Sequence, residues 1–143
     1  MKNIRVTHQI SVPVTEAKAL DFLWNLNNLA KYEPKVTSAK ATAATAKTGS
    51  YRVRGFFAGV PWGGRFDFTL NERGFTSEST KLPFGLKVSG GFVVQAETKK
   101  RCLISHHEEY ELPRLLSPLA PFLKVYLEAA IRREMRNVRR QLI

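Results

Sequence analysis

The sequence predicts an α+β protein, a curved seven-stranded antiparallel sheet wrapped around one long C-terminal helix, with two short helices after strand 1. Three observations predict it. Residues 3–12 alternate apolar with polar side chains and are followed by a short helical pattern. Several further alternating runs, punctuated by turn residues, fill the stretch from Tyr51 to Leu112. Beyond Pro121 the chain runs to its last residue without Gly or Pro, and apolar residues recur there every three or four positions.

In order, Ile4, Val6, His8, Ile10 and Val12 alternate with Arg5, Thr7, Gln9 and Ser11, the pattern of a half-buried strand. Pro13 ends it. Thr15-Glu16 opens a short helix to about Asn25 with Ala17, Leu20, Leu23, Trp24 and Leu26 among its apolar residues. Asn27-Asn28 breaks that pattern, and Leu29 to Tyr32 adds a turn before Glu33-Pro34. Val36 to Lys47 is rich in Ala and Thr and reads as a strand, although alanine has low strand propensity. Gly49 marks a turn, and Tyr51, Val53, Gly55 and Phe57 alternate on the next strand. Val60-Pro61-Trp62-Gly63-Gly64 has the residues of a connecting turn, after which Phe66, Phe68 and Leu70 form a strand. Asn71-Glu72-Arg73-Gly74 is a hairpin signal leading to a strand from Phe75 to Lys81. Pro83 and Gly85 punctuate again. Leu86 to Ala96 and Cys102 to Leu112 are the last strands, joined by the charged turn Glu97 to Lys100.

The closing helix has a good start at Ser117-Pro118, because serine caps orphan amides and proline is tolerated at the first helical position. A start at Ala120-Pro121 fits nearly as well. Leu119, Phe122, Leu123, Tyr126, Leu127, Ala130, Ile131, Met135, Val138 and Leu142 make one stripe. From Pro118 to Arg140 the helix would be about 35 Å long.

A length of 143 residues, 43% of them hydrophobic and 24% charged, suits one domain over 1–143 with a sizeable core. No stretch has the length and apolarity of a membrane span, and Met1 to Val12 has no signal-peptide core. A single cysteine, Cys102, excludes an internal disulfide and a cysteine-based zinc site, so a cytoplasmic protein is expected. The net charge of +11 is unevenly spread: residues 31–65 carry +6, residues 113–143 carry +5, and the remainder sums to zero. That distribution is either a solubilising surface or a face for an anionic partner. No phosphate-binding loop and no nucleophile elbow is present. Cys102 reads as a small core residue.

The element order resembles the START-like (SRPBCC) superfamily of helix-grip folds, the polyketide cyclase/dehydrase and lipid-transport type, over the whole chain. The more specific pieces are Val14-Thr15-Glu16-Ala17 leading to Phe22-Leu23-Trp24-Asn25-Leu26-Asn27-Asn28-Leu29-Ala30-Lys31-Tyr32-Glu33-Pro34, and Glu109-Tyr110-Glu111-Leu112-Pro113 before the basic-faced helix. The resemblance implies an apolar cavity between the sheet and the C-terminal helix. Family members hold lipids, quinones, sterols or polyketides there, and a minority do chemistry. It supports fold strongly and function weakly.

Within that frame, Tyr51, Val53, Phe57, Phe66, Phe68, Val88, Phe92, Ile104 and Tyr110 on the strands are expected to line the cavity. Leu123, Tyr126, Leu127 and Ile131 on the helix would join them. Taken singly, each reads as plain core before it reads as a ligand contact, and as a group they mark where a pocket would be. Gly90 and Gly91 suggest room for a ligand or a sharp bend in the sheet. Three polar residues break the apolar phase: His8 on the first strand, His106 and Glu108 on the last. The family's strand order makes those strands neighbours, so the three groups are expected to converge in the cavity. A satisfied His–Glu hydrogen bond, a ligand-orienting or acid/base pair, and a metal site are the competing readings. Two His and one Glu on strands have no recognised metal-ligand spacing, so neither a metal nor a cofactor is expected.

Arg132, Arg136, Arg139 and Arg140 lie off the apolar stripe, either as a solvated face or as a contact for anionic membrane headgroups, helped by exposed aromatics such as Trp62. Nucleic acid is the alternative anion, but no recognised module for it is present. Binding or transport of a small hydrophobic ligand is the leading functional expectation. The alternatives are a cofactor-independent cyclase/dehydratase using a His/Glu pair and a basic adaptor for nucleic acid or an acidic protein.

Overall fold

The computed structural model describes residues 2–43 and 45–143. Met1 and Ala44, the latter within the Ala/Thr-rich stretch read as a strand, lie outside the described residues. Strand β1 (Lys2–Val12) is followed by helix α1 (Glu16–Trp24) and a 3₁₀ segment (Leu26–Lys31). Thr15 caps α1 by accepting from the Lys18 amide, and Asn25 caps the 3₁₀ segment by accepting from Asn27. Six strands then run as β2 (Ser38–Ala43), β3 (Thr48–Phe57), β4 (Val60–Asn71), β5 (Gly74–Lys81), β6 (Lys87–Thr98) and β7 (Arg101–Leu112). Helix α2 (Ala120–Leu142) closes the chain.

The seven strands form one antiparallel sheet in the order β1-β7-β6-β5-β4-β3-β2. Short connections make β2 to β7 a meander, and β1 adds itself against β7 with His8 opposite His106 and Val6 opposite Glu108. Helix α1 packs on β5 and β6, and α2 packs chiefly on β1. One apolar group joins α1, the centre of the sheet and the C-terminal half of α2. A second joins Ile4, Val6, Tyr110 and Leu112 to Leu127 and Ile131.

Several local expectations give way to longer-range pairing. Val60 to Gly64 are not a turn but the first residues of β4, paired residue for residue with β3. The reversal occurs one step earlier, at Ala58 (φ 50) and Gly59 (φ 83), a two-residue loop with both φ angles positive. Such a loop matches the strand twist, so the ladder overrides the turn composition of Pro61-Trp62-Gly63-Gly64. Gly49 likewise sits inside β3, and the preceding turn is built by Thr45, whose hydroxyl accepts from the Lys47 and Thr48 amides. Gly90 and Gly91 mark close approach: a Cβ there would meet the carbonyl oxygens of His107 and Phe75 at 2.4 and 2.2 Å.

Ser117 caps no α-helix. Residues Arg114–Leu119 form a 3₁₀ segment in which the Ser117 hydroxyl donates to the Arg114 carbonyl, and α2 starts at Ala120 with Pro121 in its first turn. The apolar stripe is also only partly buried. Leu127, Ala130, Ile131, Met135, Val138 and Leu142 are covered, whereas Leu119 and Phe122 are exposed because the first turns of α2 stand over an opening, not over the sheet.

Candidate functional site

That opening leads into a cavity of about 650 Å³ between the sheet and α2. Its walls are apolar: Tyr51, Val53 and Phe57 from β3, Phe66 from β4, Val88 and Phe92 from β6, and Leu123 and Leu127 from α2. Alternation along the strands puts these side chains on the inner face. Tyr51 and Phe66 stack with ring centres 5.1 Å apart, giving one wall a flat aromatic surface. The rim is apolar as well, with exposed Val60, Phe84, Leu119 and Phe122.

The inner end is a buried ionic cluster. His106 and Glu108 point inward from β7, as their phase requires, together with Tyr110. They meet Glu33 and Lys35 from the segment before β2, and Glu134 from α2, which is 1% exposed. Lys35 Nζ lies 3.0 Å from Glu33 Oε1 and 3.8 Å from Glu108 Oε1. His106 Nε2 lies 3.2 Å from Glu134 Oε1 and 3.5 Å from Glu108 Oε1, while Nδ1 is 2.8 Å from the Gly91 carbonyl, to which it donates. Tyr110 donates its hydroxyl to Glu108 Oε2 at 2.6 Å, and the His106 ring stacks on Phe92 at 3.9 Å.

Electrostatics follow from burial and mutual proximity. Burial alone would lower the His106 pKa, but the carboxylates of Glu134 and Glu108 outweigh it and hold the ring well above its usual range. Burial acts to raise Glu108, yet Lys35 and then His106 pull it well below the ordinary carboxylate range. Glu33 goes the other way, to about 8, through burial and the charge of Glu134, against the opposing pull of Lys35. Burial would depress Lys35, but Glu108 and Glu33 keep it firmly protonated. One carboxyl held neutral beside one held charged is the division of roles that proton-transfer sites use.

His8 does not join this group. Although its Cα faces that of His106, its half-buried ring lies outside the cavity, where burial and the charge of Arg132 lower its pKa. The third partner is Glu134 instead. It was legible in principle: Glu134 falls in phase with Leu127, Ala130, Ile131 and Val138, a charge inside an apolar stripe. Glu33 and Lys35 carried no such signal, since they sit in an aperiodic connection and only the tertiary fold brings them to the sheet.

Four of the apolar residues expected in the cavity do not line it. Phe68 is core, its ring 6.1 Å from that of Tyr51. Ile104 is fully buried in that same core, and Ile131 packs with the β1 group. Tyr126 packs on Phe57 and accepts a hydrogen bond from the Ala58 amide, holding the β3–β4 hairpin over α2. Trp62 is not an exposed aromatic: it lines the cavity, half-buried, and donates its indole N–H to the Lys35 carbonyl at 3.0 Å. Arg132, Arg136, Arg139 and Arg140 are exposed, on the half of α2 that covers β1 and away from the rim, and Arg139 donates to the Ser11 carbonyl.

No protein-family model matches the sequence, and no curated protein matches it. Solved structures do. The Zhui aromatase/cyclase from Streptomyces sp. R1128 superposes with a TM-score of 0.79 at 13% identity, covering 99% of this chain and 92% of the other. A START superfamily protein from Mycobacterium smegmatis gives 0.80 at 9% identity, covering 96% of each chain. A STAR-related lipid transfer protein from Xanthomonas axonopodis gives 0.70 at 12%, covering 96% of this chain and 85% of the other. The chain shares the helix-grip fold of these structures.

Proposed function

We propose that this protein binds, and carries, one small hydrophobic molecule with an apolar body and a single polar end. The observation that carries this reading is the cavity itself: about 650 Å³, apolar along its walls and rim, and ionic only at its buried end. Cavities of this size suit a drug-sized or lipid-like ligand, and a few convergent polar groups are what orients such a molecule. His106, Glu108 and Tyr110 would meet the polar end, with Tyr51, Val53, Phe57, Phe66, Val88, Phe92, Leu123 and Leu127 around the body. A lipid, quinone or polyketide-like molecule has the required character, and the lipid-transfer and aromatase/cyclase neighbours are consistent with that class. The proposed setting is the cytoplasm with transient membrane contact. Among the described residues no helix is long and apolar enough to cross a membrane.

Native mass spectrometry and organic extraction of the protein purified from its own host test this. The expected result is a hydrophobic molecule near one-to-one, lost in Val88→Trp, which fills the cavity while circular dichroism stays unchanged. An empty wild-type protein that also takes up no fluorescent fatty acid or quinone would overturn it.

A second reading has its own observation. His106 lies between Glu108 and Glu134 at the closed end of an apolar chamber, an arrangement suited to general acid/base work in a cofactor-independent cyclase or dehydratase. His106→Ala separates the two: a carrier keeps most of its affinity, and an enzyme keeps binding but loses turnover.

A further inference from the structure

We propose that His106, Glu108 and Glu134 form a binding site for one divalent first-row metal ion of the zinc class, with an open position facing the cavity. The three side chains come from β7 and α2, and each is more than nine-tenths buried. One ligand atom from each, His106 Nε2, Glu108 Oε1 and Glu134 Oε1, lies within 4.8 Å of the others. Two of those separations are 3.2 and 3.5 Å. Ligands bound at about 2.0–2.2 Å to one tetrahedral or five-coordinate ion stand roughly that far apart.

Hydrogen bonding does not account for this arrangement. Nε2 and both Oε1 atoms are buried and none has a hydrogen-bond partner, despite their proximity. A hydrogen-bonded pair places the acceptor along the N–H axis. Here the two oxygens lie 3.5 and 3.2 Å from the ring nitrogen without meeting hydrogen-bond geometry. The remaining atoms are already engaged in the manner of supported metal ligands. Nδ1 donates to the Gly91 carbonyl, which fixes the ring and leaves Nε2 as the ligating atom, and the Tyr110 hydroxyl occupies Glu108 Oε2.

The donor chemistry points the same way. One nitrogen and two carboxylate oxygens form a donor set for zinc, manganese or iron(II) rather than for copper(I) or calcium. The unfilled position would face whatever polar group the cavity holds.

The test uses the full chain, stripped of bound organics and treated with chelator, and titrated with zinc by calorimetry and native mass spectrometry. The expected result is one equivalent bound, with a raised unfolding midpoint. Substitution with cobalt should give visible d–d bands of nitrogen/oxygen coordination. Glu134→Gln and His106→Ala should each weaken binding by at least about tenfold. Because those replacements disturb a buried cluster, Tyr110→Phe serves as the mild variant: it keeps shape, releases Glu108 and should also weaken binding. Folded wild-type protein that binds no zinc overturns the proposal. So does binding that persists undiminished in a folded His106→Ala/Glu134→Gln double variant, which would put the ion at another histidine. Either failure leaves the hydrophobic-ligand reading standing, since extraction reads that separately.

Discussion

Lys35 holds the buried cluster together. Its ammonium faces Glu33 and Glu108 with almost no access to water, so replacing it by methionine leaves carboxylates uncompensated inside the protein. Lys35→Met should cost about 3–5 kcal/mol, read as a lower urea midpoint with unchanged slope. Glu33→Gln replaces a carboxyl that burial and Glu134 already hold largely neutral at pH 7, and should stay within about 1 kcal/mol of wild type. The contrast is the informative result: equal losses would mean that the pair acts through packing and not through charge. At this scale the sequence was readable where a residue broke a period. His106 and Glu108 stand out on β7, and Glu134 stands out on α2 once the helix stripe is drawn. His8 broke the same period and proved peripheral, because phase gives the face of a strand but not the depth of a side chain.

Among the elements, the rim has the least to do with stability. Phe84 is 78% exposed and holds φ 62, a left-handed conformation that normally favours glycine. Leu119 and Phe122 are exposed at the start of α2, and residues 52–65, 81–89 and 113–127 carry seven Lys or Arg and no Asp or Glu. If the proposed membrane contact occurs, apolar tips among cations would suit a bilayer with anionic headgroups, and the exposed Arg132, Arg136 and Arg140 would add longer-range attraction. Phe84→Gly relieves the backbone and should raise stability by about 1 kcal/mol. The same change combined with Phe122→Ser should weaken cosedimentation with phosphatidylglycerol vesicles. Wild-type binding should itself fall as salt rises. Equal vesicle binding by wild type and double variant would remove the rim from the ligand's route. These elements were legible in kind from periodicity. Their ends were not: Val60 to Gly64 looked like a turn, and only pairing with β3 made it a strand.

For the molecule as a whole, the proposed ligand would contribute to the stability of the fold. A cavity of this size leaves Tyr51, Phe66 and Phe92 short of packing partners on one side, so an occupant should add to stability by mass action. Protein stripped of extractable organics should unfold at a lower temperature than protein as purified. At a ligand concentration one hundred times Kd the gain is about 2.7 kcal/mol. Differential scanning calorimetry before and after extraction checks this. Identical traces would mean that the cavity was empty to begin with.

What the sequence determined by itself was the architecture. Strand alternation, proline and glycine punctuation and a long amphipathic helix are local signals, and they suffice for the α+β class, the strand count and the place of α2. The cavity and its polar end were decided only in three dimensions. Glu33 and Lys35 lie some seventy positions from His106 in the chain and Glu134 lies on a different element, so their meeting depends on sheet curvature and on how α2 crosses it. The same crossing leaves the first turns of α2 uncovered, turning part of an ordinary apolar stripe into the rim of an opening. Periodicity records which face of an element is apolar. It does not record whether that face meets another element or an empty space, because that depends on the distance between elements.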